Sequence, residues 1–169
     1  MNVRTRRSIF QDMEYEMVIF KKILVPLDGS ALSEKALPIA LSMARAYDGQ
    51  LILIRSEDFP SIILGMGEPE TSYWVVDAEE QMRKEVESYL AAKADELRRQ
   101  GYHVETKQGR QTPAKEIIDV ATNEKVDLIV ISTHGRGGVA RWAMGSVTDR
   151  VARHAPCPVL LVREFEEEA

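Results

Sequence analysis

The sequence predicts an α/β domain built on a parallel β-sheet with helices on both faces. Three observations carry that expectation. Short apolar, β-branched runs alternate with helix-patterned segments five times along the chain. One of these runs, "VDLIVIS" from Val126 to Ser132, is apolar almost throughout, as a strand covered on both faces must be. No internal repeat or low-complexity linker divides the chain, and 169 residues suit a single core.

The elements follow in order. "KKILVPL" (Lys21 to Leu27) reads as a first strand, stopped by Pro26 and "DGS". In "SEKALPIALSMARAYDG", Ala36, Leu37, Ala40, Leu41 and Ala44 mark one helix face; Ser30 or Ser33 caps its start and Gly49 closes it. "QLILIRSED" is the second strand. The stretch Phe59 to Asp77 has two prolines and two glycines, lacks a period, and reads as a long irregular connection.

The segment from Asp77 to Gly101 is a long helix with Met82, Val86, Tyr89, Leu90 and Leu97 as its apolar stripe and Gly101 as its stop. "YHVETKQ" alternates as a third strand. "TPAKEIIDVATNE" opens on Thr112 as N-cap, with Pro113 at the first helical position. After the fourth strand come a glycine-rich stretch, a helix through "SVTDRVARHA", and a last strand "CPVLLVR". These assignments divide the chain into an N-terminal extension (residues 1–20), a domain (21–164) and an acidic tail (165–169).

Bulk properties restrict the function classes. The net charge of −5 gives no general reason to bind nucleic acid or an anionic membrane. No apolar run approaches the roughly 18 residues that span a bilayer, and "MNVRTRRSIF" lacks a signal-peptide core, so a cytoplasmic location is expected. The single cysteine, Cys157, forms no internal disulfide and reads as filler between two prolines. With three isolated histidines, a metal site made of protein ligands alone is not expected.

Open parallel sheets collect ligands outside the carboxyl ends of their strands. Asp28 stands at the tip of the first strand. The fourth strand ends at Ser132 and runs into "STHGRGGVARWAMGS". Gly135, Gly137 and Gly138 allow a ligand to approach the main chain, and successive amides there can converge on an anion. Gly145 and Ser146 begin the next helix, whose N–H groups and dipole favour negative charge. Ser146 and Thr148 add hydroxyls, and Arg136 and Arg141 add cations. His134 is a further candidate contact for the ligand, a hydrogen-bonding role within the loop being its alternative, while Trp142 and Met144 are expected to anchor the loop. Neither a P-loop nor a Rossmann glycine fingerprint is present, so the residues indicate an anion-binding loop and leave its ligand open. A plain glycine turn is the alternative.

From Lys21 to Arg163 the chain resembles the universal stress protein family. "KILVPLDGS", "VDLIVIS" and "GSVTDRVARHAPCPVLLVR" carry the resemblance, together with a spaced motif. The family's nucleotide-binding subgroup has Gly, two residues, Gly, nine residues, then Gly-Ser or Gly-Thr. Here Ser132, Gly135 and Gly145–Ser146 occupy those places. Ser132 departs from the motif: a position requiring φ > 0 would be strained by serine, whereas one requiring only a small residue would not.

The resemblance implies a single-domain, open, twisted five-stranded parallel sheet in order 3-2-1-4-5, of the Rossmann-like adenine nucleotide alpha hydrolase type. It implies ATP, accompanied by Mg or Mn held through its phosphates. Pro26, Leu27 and Ser56 would lie near the adenine, with the main chain of Ile131 and Ser132, and Asp28 near the ribose. Gly135, Gly138, Gly145, Ser146 and Val147 would surround the phosphates. Homodimers would pair the last strand, Pro158 to Val162. The resulting expectation is an ATP-binding stress-response switch or sensor, at most a slow ATPase, because no residue is recognisable as a base for activating water. A nucleotide-free interaction module of the same fold is the alternative. A faster hydrolase would need an SGGxDS loop after the first strand, where "PLDGSALS" stands.

Overall fold

The computed structural model describes residues 18–56, 69–133 and 144–163. Its elements are β1 (Lys22–Pro26), α1 (Ala31–Glu34), α2 (Ala36–Tyr47), β2 (Gln50–Ser56), α3 (Pro69–Arg99), β3 (Val104–Gly109), α4 (Pro113–Asn123), β4 (Leu128–Ser132), α5 (Ser146–His154) and β5 (Val159–Val162). The five strands form one sheet in the order β3-β2-β1-β4-β5, and every neighbouring pair is parallel. The expected fold class and strand order are therefore those of the structure.

Alternation along the strands divides the core in two. Ile23, Val25, Leu51, Leu53 and Val130 pack with Ala40 of α2 and with Val86, Leu90 and Leu97 of α3. Leu24, Ile52, Ile54, Ile129 and Ile131 point the other way, against Ile117 and Ala121 of α4 and Val151 of α5. Central strands are thus apolar on both faces, which is why "VDLIVIS" shows no alternation.

Three local differences from the sequence expectations have physical causes. The first helical stretch is split into α1 and α2 at Lys35. Pro38 has no N–H for the Glu34 carbonyl and crowds it, so the ladder breaks there. Ser30, rather than Ser33, is the cap, its side chain accepting from Ser33 N at 3.1 Å. The turn after α2 places Asp48, not Gly49, in the left-handed region (φ 49°). Gly49 is small because a Cβ there would lie 2.7 Å from the Phe20 carbonyl oxygen. Finally, α3 begins at Pro69, eight residues before the expected Asp77, so part of the supposed irregular connection is helical. Proline at a first helical position gives up only an N–H that has no partner anyway.

Gly101 does end α3, with φ of 90°. Thr112 is the N-cap residue of α4 but makes no side-chain cap bond. Glu116 acts there instead, its Oε2 accepting from the amides of Arg110 (3.3 Å) and Gln111 (3.1 Å).

Candidate functional site

Strand order places the reversal of sheet direction between β1 and β4. The chain leaves β1 toward β2 on one side, whereas β4 leads to β5 on the other. A crevice opens outside the carboxyl ends of strands at such a point. The pairing Ile23↔Leu128 and Leu24↔Ile129 runs parallel, so continuing it carries the Asp28 turn up beside Ser132 and Thr133.

On the β1 side, Pro26 and Leu27 are buried, and Leu27 N donates to the Ile54 carbonyl at 2.8 Å. Asp28 is half-buried. Its Oδ1 accepts from Ser30 N at 2.8 Å, while Asp28 N donates to Ser33 Oγ at 3.2 Å. Ser33 Oγ donates in turn to the Ser30 carbonyl at 2.9 Å. Gly29, at φ 86°, gives the turn a conformation that L side chains rarely adopt. The turn and its carboxylate form one closed unit, with Asp28 serving as a turn residue as well as a candidate ligand contact.

On the β4 side, Ile131 and Ser132 are buried. Among the described non-glycine residues only Asp48 and Lys125 have positive φ. Ser132 is thus ordinary strand backbone, and its departure from the glycine motif carries no backbone strain. Two bonds bring α5 back to this strand tip. Gly145 N donates to the Thr133 carbonyl at 2.9 Å, and Thr148 Oγ1 donates to the Ser132 carbonyl at 2.9 Å. Thr148 is buried, so its hydroxyl proton is directed into the fold rather than toward a ligand.

The start of α5 bears on anion binding. Gly145 is its N-cap and provides no side-chain cap; its backbone, φ −59° and ψ 148°, is open to any residue. Serine, threonine or aspartate would serve a helix start better. The first-turn amides of Ser146, Val147 and Thr148 therefore have no side chain of residue 145 over them, and Ser146 is exposed. This donor set fits a phosphate. Met144, expected as an apolar anchor of the loop, is 40% exposed. His134, Gly135, Arg136, Gly138, Arg141 and Trp142 lie outside the described residues.

Ser56 closes β2 opposite Gly109 of β3, on the face shared with Ile52 and Ile54. Its neighbour Arg55 points to the opposite face and is buried, a feature not expected from the sequence. Arg55 Nη2 lies 3.1 Å from Glu85 Oε1, and its guanidinium stands 5.0 Å from the centre of the Tyr89 ring. Tyr89 donates its hydroxyl to Glu34 Oε1 at 2.8 Å, and Lys93 donates to Glu34 Oε2 at 2.7 Å. Burial raises the Glu34 pKa, but the bonds from Lys93 and Tyr89 and the Lys93 charge outweigh it and leave the carboxyl below its ordinary value. The Tyr89 hydroxyl is pushed well above its usual range, first by burial and then by the bond to Glu34. The one signal in the sequence was an arginine ending the apolar run "LILI", since charged residues are buried only when partnered.

The family model described as the universal stress protein family matches residues 19–163. Universal stress protein MJ0531 of Methanocaldococcus jannaschii is 32% identical over 150 residues, covering 89% of this chain and 86% of its own length. The solved structure of the hypothetical protein MJ0577 superposes with a TM-score of 0.77 at 26% identity, covering 89% of this chain and all 100% of that one. A universal stress protein solved in complex with cAMP has the same fold, with a TM-score of 0.55 at 24% identity over 87% of this chain and 99% of its own.

Proposed function

This chain belongs to the universal stress protein family, and we propose that it binds ATP in the β1–β4 crevice as a stress-response switch or sensor, hydrolysing it slowly at most. One observation carries the reading: a helix of nine residues starts on an uncapped glycine, stapled to β4 at a topological switch point. The φ and ψ of Gly145 do not themselves require glycine, whereas an approaching phosphate would need the space. The cAMP complex of a protein with this fold adds that such a fold can take an adenine nucleotide.

In this reading Gly145 makes room for the phosphates, its own amide being held by the Thr133 carbonyl, and the amides of Ser146 and Val147 face them, together with Gly135 and Gly138 and the cations Arg136 and Arg141. Asp28 accepts from the ribose hydroxyls. Pro26, Leu27, Ser56 and the main chain of Ile131 and Ser132 flank the base. Among the described residues no three His, Cys, Asp or Glu side chains gather to hold a metal, so Mg or Mn would be carried on the phosphates. The edge strand β5, with Leu161 38% exposed, would pair with a second copy to form a homodimer. No helix among the described residues is long and apolar enough to cross a membrane, and a cytoplasmic location is part of the proposal.

The test uses chain purified without added nucleotide, denatured so that any retained small molecule is released and identified. Mg-ATP is then titrated into refolded chain. Ligand at 100 times its dissociation constant stabilises by about 2.7 kcal/mol, which is about 5–10 °C of unfolding temperature in a domain of this size. No released nucleotide together with no stabilisation would refute ATP binding and leave the nucleotide-free interaction module.

A further inference from the structure

The cluster of buried Arg55 with half-buried Tyr89 and Glu34 lies outside the crevice, yet it holds the turn that presents Asp28. We propose that Tyr89, braced by Arg55, is a positioning residue for Asp28, acting through Glu34. The proposal rests on the reading of Asp28 as a ribose contact.

The chain of contacts is continuous. Asp28, Ser30 and Ser33 close on one another through the four hydrogen bonds described above. That unit includes the N-cap, Ser30, and the third residue, Ser33, of α1, a helix of four residues. So short a helix has almost no stability of its own and must be fixed by tertiary contacts. Glu34, its last residue, is the handle: both carboxylate oxygens are gripped from α3, by Tyr89 and by Lys93. α3 is anchored independently, through Val86, Leu90, Ala94 and Leu97 in the core.

Tyr89 suits this task chemically. Its proton is retained far above neutral pH because burial and Glu34 both oppose ionisation, so it remains a donor throughout the working range. Arg55 limits where the ring can go. Its side chain is 7% exposed, stacked on the ring and tied to Glu85, so moving the ring would disturb a buried charge. Supports of this kind hold a binding group to the fraction of an ångström that recognition requires.

The experiment is Tyr89→Phe, which keeps the ring and its contact with Arg55 and removes only the bond to Glu34. Hydrogen exchange is measured first, on nucleotide-free protein. The amides of Ser30, Ser33 and Glu34, all hydrogen-bonded within the turn, are expected to exchange about fivefold faster or more, while those of β1 and β4 are unchanged. Unaltered exchange at these three amides would overturn the proposal.

ATP affinity is then compared in a cycle with Asp28→Asn. Tyr89→Phe is expected to weaken binding about fivefold in the natural background and less than about twofold when Asp28 is already replaced. Equal losses in both backgrounds would overturn the proposal, because a general structural defect would act regardless of residue 28. If the natural chain binds no ATP, the functional reading fails by itself, and the exchange result alone decides whether Tyr89 positions the turn.

Discussion

Replacing Gly145 with alanine separates a structural glycine from one that makes room for a ligand. The residue's φ of −59° and ψ of 148° are as accessible to alanine as to glycine. Among the described residues an added Cβ would meet the Thr133 carbonyl oxygen, at 3.3 Å, which must give by a few tenths of an ångström. The remaining cost is that alanine is a poorer N-cap than glycine, about 0.5–1 kcal/mol. That corresponds to a fall of about 1–4 °C in unfolding temperature.

The effect on the ligand is larger. A methyl group where a phosphate oxygen must meet the first-turn amides weakens at least one charge-assisted bond, worth about 1.5–3 kcal/mol. Affinity for Mg-ATP should fall about 10- to 100-fold. Thermal unfolding followed by circular dichroism and isothermal titration calorimetry read the two effects separately. A Gly145→Ala chain that binds ATP within about twofold of the natural one would refute the placement of phosphate at α5. A stability loss beyond about 3 kcal/mol would instead mark the glycine as structural.

Other consequences follow from the same contacts. In Gly109→Ala the new Cβ would run into Glu116 Cγ and lie 2.8 Å from Ser56 Oγ. Displacing Glu116 also removes its bonds to the Arg110 and Gln111 amides, so chemical denaturation should show a loss of about 2–3 kcal/mol, and a loss below about 0.5 kcal/mol would contradict the packing described. Because the folded Glu34 carboxyl titrates below its ordinary value of 4.5, its contribution to stability is present above that pH and lost as pH falls through the folded value. Glu34→Gln should therefore lower the unfolding temperature near neutral pH, with the gap closing as pH falls below 4.5 and through the lowered folded value; a gap that stays constant into acid would contradict the grip of Lys93 and Tyr89. Leu161→Lys at the exposed edge of β5 should convert a dimer into a monomer by light scattering while changing monomer stability by less than about 0.5 kcal/mol, and a dimer that persists would place the contact elsewhere.

The sheet was legible because burial on both faces leaves uninterrupted apolar runs, and the strands fall on the expected segments, β3 alone running on to Gly109. What escaped the sequence depended on contacts between distant residues. The early start of α3 falls in "PETSYWVVD", where neither a hydrophobic period nor a cap marks a helix. Gly49 reads as the helix stop because glycine is the commoner choice there, whereas the left-handed residue is Asp48, and the closeness of Phe20 to Gly49 is invisible in one dimension. At the site, Asp28 and the Gly145–Ser146 helix start stood out as polar and glycine residues at strand tips. The bracing of Asp28 by Tyr89 did not, because Tyr89 also fits an apolar stripe and its partner Glu34 is 55 residues away. Thr148 reads as a ligand hydroxyl until the structure shows it bonded to Ser132.

The most direct test of ATP binding in the β1–β4 crevice is the amide spectrum of isotopically labelled chain during titration with Mg-ATP. Perturbations are expected to concentrate at Leu27, Asp28 and Gly145 to Thr148, on the carboxyl edge of β1 and β4. The opposite edge of the sheet has a cavity of about 660 Å³ lined by Lys21, Lys22, Arg98 and His103, and it should remain silent. Perturbations confined to that opposite edge, or none at all, would contradict binding in the crevice.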